Sequence, residues 1–211
     1  MLPLGLVPDT WDGSAWVGIT PFSTTCEVLG MQSLPGPTRF AETNVRTYVR
    51  APDGTTGIWF FSLDVANRAN AVLGRALQIP YHEADNTVEE TDERNGAVRY
   101  VGRRRGSPHA RYDMAITPGR AAEHDAFESF LVDRWSAYVS ARSSLMRVDV
   151  EHEPWPLRVG VADHIEETLT RAIGIDVAGQ PVCHYAPGVT ARLSFPRMVT
   201  LCTAETAISD R

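Results

Sequence analysis

The stretch Phe40-Ala41-Glu42-Thr43-Asn44-Val45-Arg46-Thr47-Tyr48-Val49-Arg50 decides the fold. Its period is two. Phe40, Glu42, Asn44, Arg46, Tyr48 and Arg50 fall on one face of an extended chain, and Ala41, Thr43, Val45, Thr47 and Val49 on the other. A helix would scatter both sets around its circumference, so the segment is predicted to be a strand. Pro52-Asp53-Gly54 follows as a turn. Thr56 to Leu63 then contains Ile58-Trp59-Phe60-Phe61, a run apolar on both faces, as in a strand covered on both sides. The two segments are expected to pair antiparallel.

Working outward, Ala15 to Thr20 reads as a further strand upstream. Downstream, Asp64 is a candidate cap for a helix running to about Leu77, with Val65, Ala69, Val72, Leu73 and Ala76 as its apolar stripe and Pro80 as its stop. Asn95-Gly96 lies between two strand-like arms and predicts a two-residue hairpin from about Val88 to Arg103, with Asp92 facing Arg99. Phe127, Phe130, Leu131, Trp135 and Tyr138 recur at helical spacing and predict a long helix from Ala121 to Arg142. A shorter helix is expected from Asp163 to Ile173 ahead of Gly174, and two more strands from Pro181 to Leu201. Helices interrupt the strands too rarely for a parallel βαβ sheet. The predicted class is α+β, built on a closed or strongly curved antiparallel sheet, and with no linker or internal repeat residues 1–211 read as one domain.

Composition narrows the function classes. The 211 residues are 43% hydrophobic, enough for a full core, and carry a formal charge of -6. The only basic run, Arg103 to Arg105, follows the acidic Glu89, Glu90, Asp92 and Glu93, so nucleic acid is not an expected partner. Cys26, Cys183 and Cys202 are odd in number and widely spaced, which suggests neither a disulfide framework nor a zinc site. The first residues lack a basic segment and no apolar run approaches membrane-spanning length, so no membrane association and a cytoplasmic location are expected. No phosphate-cradling loop, Gly-x-Ser-x-Gly elbow, Cys-x-x-Cys pair or dinucleotide fingerprint occurs. His109, His124, His164 and His184 show no ligand spacing, and His152 and Glu153, adjacent on an extended segment, point to opposite faces; neither metal nor cofactor is expected. All 20 basic residues are arginine. A lysine imine is therefore unavailable to this chain.

Pro3-Leu4-Gly5-Leu6, Asp9, Asp12-Gly13 and Ala15-Trp16-Val17-Gly18 are followed in order by Asn44 to Val49, Phe60-Phe61-Ser62-Leu63-Asp64, Pro80-Tyr81 and His152-Glu153-Pro154-Trp155-Pro156-Leu157. Together these motifs resemble the YqjF-like family of uncharacterised bacterial proteins, across most of the chain. Members of that family usually carry a further segment before the Pro-x-Gly-Leu motif, so either the true start lies upstream or one edge strand is lost. The family looks like a distant branch of the acetoacetate decarboxylase superfamily, and the resemblance implies a cone-shaped antiparallel β-barrel with flanking helices around an apolar cavity. In those decarboxylases a strand with an active-site glutamate precedes a strand, a helix and a Gly-Arg-x-x-x-Gly-aromatic-Pro-Lys motif. Here Glu42 stands on the matching strand and Gly74-Arg75-Ala76-Leu77-Gln78-Ile79-Pro80-Tyr81 on the helix exit. The spacing is one residue shorter and Tyr81-His82 replace the lysine pair, so the resemblance implies the barrel without imine-based decarboxylation.

Glu42 and Tyr81 are accordingly the candidate catalytic residues, and Asn44, Arg46, Tyr48, Arg75, His82 and Trp155 the candidates for substrate binding. On residues alone, the Glu42 to Tyr48 ladder is either a solvated face or a polar lumen in which Arg46 anchors an acidic group and Glu42 accepts a proton. Tyr81 and His82 suit acid-base work near neutral pH, or are a packed phenol and a surface imidazole. Trp155, between two prolines, reads as a wedge at one end of the barrel. Three functions fit: a cofactor-free lyase, isomerase or cyclase, of secondary metabolism for example, acting on an apolar carbonyl- or carboxylate-bearing molecule; a non-catalytic small-molecule-binding barrel; and a structural protein whose cavity is filled by aromatic side chains. A small molecule is the expected partner, and a homo-oligomer is left open.

Overall fold

A computed structural model describes residues 1–25, 39–76, 79–92, 94–141 and 144–199. Short strands β1 (Val7–Pro8), β2 (Thr10–Trp11) and β3 (Ser14–Ala15) precede β4 (Val17–Thr25), β5 (Arg39–Arg50) and β6 (Thr56–Val65). Helix α1 (Arg68–Ala76) leads to β7 (Tyr81–Asp92), β8 (Ala97–Arg104) and β9 (Arg111–Ala121). Then come α2 (Ala126–Val132), β10 (Ser136–Ala141), β11 (Ser144–His152), β12 (Arg158–Glu167) and α3 (Leu169–Ala172). Three short strands follow, β13 (His184–Tyr185), β14 (Ala191–Leu193) and β15 (Arg197–Met198).

The deciding stretch is the middle strand of a three-strand unit. β5 pairs antiparallel with β4 on one edge and β6 on the other, with Tyr48 opposite Ile58 as the Pro52 turn requires. A register shift next to Val45 leaves Phe61 as an extra residue in β6, a bulge that bends the strand. The free edge of β6 is divided: Ile58 and Trp59 pair in parallel with β10, and Leu63, Asp64 and Val65 in parallel with β7. From there one arm runs β7, β8, β9, β12, β13 and the other β10, β11, β14.

The sheet coils so far that β5 faces β9, although β6, β7 and β8 lie between them in the hydrogen-bonded order. Thr43 Oγ1 and Tyr112 Oη meet across this interior at 2.5 Å, above a cluster of Val45, Ala110, Tyr112, Met114 and Leu169. On the other side of β5, Tyr48, Ile58 and Ala137 pack with Trp16, Phe60, Phe130 and Leu131. The α+β class and the flanking helices are as expected, and among the described residues the strand pairing stops short of a full ring.

Several local expectations are corrected. Asp64 does not cap a helix: it lies inside β6 with its carboxylate on the buried Arg104, and α1 begins four residues later. The predicted apolar stripe fails with it, since Val65 belongs to β6 and Val72 is 52% exposed. Among the side chains described, the buried positions of α1 are the small Ala71 and Gly74, and a Cβ on Gly74 would lie 2.2 Å from Cδ2 of the Tyr81 ring. The Asn95-Gly96 hairpin forms, with Gly96 at φ 69°, but a register shift pairs Asp92 with Ala97 and sets Glu89 opposite Arg99. Arg99 turns to Asp113 of β9 at 2.5 Å, while the Asp92 carboxylate accepts from the Arg94 N–H inside the turn.

The long helix predicted from Ala121 is only α2, capped by Asp125, whose carboxylate accepts from the N–H groups of Phe127 and Glu128. Trp135 and Tyr138 share its spacing, yet the chain re-enters the sheet at Ser136 because β10 gains ladders to both β6 and β11. Asp163 to Glu167 are likewise strand, paired with β9, which leaves α3 as the whole of the second helix. Among the described residues, Pro181 onward forms three short strands where two were expected. The expectations at Cys26, Leu77, Gln78, Glu93, Arg142, Leu201 and Cys202 fall outside the described residues, and Cys183 is a free thiol. Among the described residues no helix is long and apolar enough to cross a membrane.

Candidate functional site

Strand alternation places Glu42, Asn44, Arg46 and Tyr48 on one face of β5, and pairing adds to that face Gly18 of β4 and Leu63 of β6, with Tyr81 of β7 in register beside Leu63. This face is not solvated. Glu42 is 8% exposed, Asn44 5% and Tyr48 3%. Burial, with the nearby Asp64 charge adding to it, pushes the Glu42 carboxyl up to about 7, so it exchanges a proton near neutrality. Asn44 Oδ1 and Arg46 Nε are buried and have no hydrogen-bond partner. Buried polar atoms are rarely left so, and here an acceptor and a donor lie two residues apart on one strand face. Gly18 lies opposite Arg46 on β4, where a Cβ would meet Arg46 Cγ and Nε at an ordinary contact distance of 3.6 Å.

The ladder ends differently from how it begins. The Tyr48 ring packs against Phe130 at 4.9 Å and carries the Arg134 guanidinium 5.0 Å over its face. Arg134 is in turn held by Asp9 at 2.7 Å, which also binds Arg50 at 2.6 Å. Tyr48 therefore closes the ladder as a packed residue, and Asp9 and Arg134 are structural partners that local sequence patterns did not reveal.

The other candidates separate from this face. Tyr81 lies on it, beneath α1, whereas His82 is in register with Asp64 on the interior face. Burial first, then the Arg104 and Arg75 charges, lower the His82 pKa against an opposing pull from Asp64, so the imidazole is neutral at pH 7. Arg75 is exposed on α1. Trp155 makes its ring contact with His152 at 5.5 Å, and His152 stacks on Trp135 at 4.4 Å. The expected wedge is thus one leaf of a half-exposed aromatic stack beside a cleft of about 410 Å³ lined by Trp135, Arg147, Asp149, Glu151, Arg192 and Leu193, among others. Neither this cleft nor a smaller one at Trp11 includes Glu42, Arg46 or Tyr48 in its lining.

The interior face holds a polar set that sequence reasoning missed. Arg104 binds Asp64 through two hydrogen bonds, and Asn86 Nδ2 donates to the Asp64 carbonyl at 2.7 Å. Asn86 Oδ1 and Ser62 Oγ are buried without a partner, and burial pushes the Tyr112 phenol up to about 12. A hydroxyl, an amide and a paired carboxylate alternating with Val45 and Val65 carry no local signal; only the register reveals them.

This arrangement can be set beside known proteins. The model of DUF2071, a family of uncharacterized conserved proteins, matches residues 1–190. The chain belongs to DUF2071. The uncharacterized protein YqjF of Bacillus subtilis (strain 168) is 36% identical to it over 193 residues, 88% of this chain and 78% of that protein. The enduracididine biosynthesis enzyme MppR, solved with HEPES buffer bound, superposes on this DUF2071 chain with a TM-score of 0.60 at 17% identity, covering 94% of this chain and 79% of that one. The same enzyme complexed with pyruvate gives 0.59 at 16%, covering 93% and 80%. An acetoacetate decarboxylase-like enzyme from Sphingomonas wittichii RW1 gives 0.54 at 18%, covering 79% and 70%. The DUF2071 fold is therefore acetoacetate decarboxylase-like, as its motifs implied.

Proposed function

We propose that this protein is a cofactor-independent enzyme that transfers a proton on a small apolar molecule bearing a carboxylate beside an enolisable carbonyl. The reading rests on one observation: Glu42, with its carboxyl pushed up to about 7, shares a buried strand face with the unpartnered Asn44 Oδ1 and Arg46 Nε. Arg46 offers a planar donor set for the carboxylate, Asn44 an acceptor, and Glu42 a base whose pKa matches the working pH. Tyr81, on the same face, is the candidate for orienting the carbonyl. Pyruvate bound to MppR, a protein of the same fold, supports a small oxo acid as the ligand class. An α,β-elimination, a keto–enol isomerisation and an aldol-type ring closure each begin with this proton transfer, and none of them needs an amine from the chain.

The test is exchange of the α-protons of pyruvate and acetoacetate into deuterated buffer, followed by NMR. The wild type is expected to accelerate exchange, with Glu42→Gln slower by about 10²–10⁴-fold and Arg46→Met impaired in binding. Equal exchange in all three proteins would remove the assignment. Binding without exchange would support the alternative reading of a non-catalytic small-molecule-binding protein.

A further inference from the structure

We propose a second site, independent of the ladder: the cleft at the start of α2 binds a small organic cation carrying a quaternary ammonium group. The cleft, about 280 Å³, is lined by Trp11, Asp12, Ser14, Trp16 and Phe127. Three of these five residues are aromatic, one is a carboxylate and none is basic. The rings are braced against one another at tilted angles, Trp16 to Phe127 at 4.9 Å and 60°, and Trp11 to Phe127 at 5.5 Å and 47°. Trp11, Trp16 and Phe127 are each partly exposed, and the negative face of an aromatic ring attracts a cation in a way that an anion or a neutral molecule cannot imitate.

Each wall is held by a different element, so the cleft is preformed. Trp11 and Ser14 pair across the β2–β3 hairpin, whose turn is Asp12-Gly13 with φ 49° and 73°. That two-residue turn needs positive φ at both positions and fixes Asp12 at the rim. Trp16 is tied to β5, its carbonyl accepting from Thr47 Oγ1 at 2.7 Å. Phe127 lies in the first turn of α2, below the Asp125 cap, and Phe130 supports Trp11 from the next turn at 5.7 Å. A soft cation would meet ring faces inside and a carboxylate at the mouth, in a chain of formal charge -6.

Choline is the probe, and its neutral carbon isostere dimethylbutanol the control, measured on the full chain by tryptophan fluorescence and calorimetry. Saturable choline binding is expected, with the isostere about tenfold weaker. Asp12→Asn keeps the turn, because asparagine accepts positive φ, and should weaken choline severalfold while leaving the isostere unchanged. Trp11→Leu keeps apolar bulk without a π face; with an unaltered circular dichroism spectrum it should lose choline selectivity. Failure of choline to saturate, equal affinity for the isostere, or an Asp12→Asn variant that binds choline as the wild type does would each overturn the proposal.

Discussion

Arg104 grips Asp64 with two parallel hydrogen bonds, Nη2 to Oδ1 at 2.9 Å and Nε to Oδ2 at 3.1 Å, and both side chains are almost sealed from solvent. The pair ties β6 to β8 over the intervening β7, in a region where β6 and β7 share only three paired positions. A bidentate geometry of this kind offsets the cost of taking two charges out of water, and it does so only while both partners are present.

Arg104→Met should therefore cost about 3–5 kcal/mol, because it strands the buried Asp64 carboxylate. Urea unfolding followed by fluorescence measures this. Adding Asp64→Leu to the same variant should return part of the loss, since an apolar pair no longer carries an uncompensated charge.

Glu42 predicts an opposite pH dependence from most carboxylates. Its folded pKa, about 7, lies above the ordinary 4.5, so between these values the folded state holds a proton that the unfolded chain has released. Stability associated with Glu42 is then full below pH 4.5 and falls as pH rises through 7, by about 3 kcal/mol. Glu42→Gln should flatten this part of the profile and be more stable than the wild type at pH 8, as judged by denaturant midpoints across pH. An unchanged slope would show that the carboxyl ionises freely in the folded protein.

Gly74→Ala tests how α1 seats on the sheet. In an exposed helix the change is favourable by roughly 1 kcal/mol, but here the new Cβ would lie 2.2 Å from the Tyr81 ring. The expected net result is a loss of about 1–3 kcal/mol, as for overpacking elsewhere. Thermal unfolding gives the sign directly.

Borohydride treatment in the presence of pyruvate or acetoacetate should leave the mass of the protein unchanged. The chain has no lysine, and its arginines stay protonated at working pH. A stable reduced adduct by mass spectrometry would place the amino terminus in a site, contrary to the proton-transfer reading.

What the sequence determined by itself is local and periodic: the alternation of Phe40 to Arg50, the antiparallel return after Pro52, the hairpin at Gly96, and the absence of lysine chemistry. Order of motifs along the chain also sufficed for the family. Tertiary structure decided the rest. Whether the Glu42 to Tyr48 face was solvated depended on what covers it, and α1 and α2 reach it from different parts of the chain. Trp135 and Tyr138 fit a helix by spacing but became loop and strand, because β6 and β11 offered their backbone two ladders. Asp64 looked like a helix cap because its partner Arg104 lies 40 positions away, and the Arg99 contact shifted from Asp92 to Asp113 with one change of register. Spacing within one segment reports backbone periodicity; burial, charge pairing and register are set by segments distant in sequence that the coiled sheet brings together.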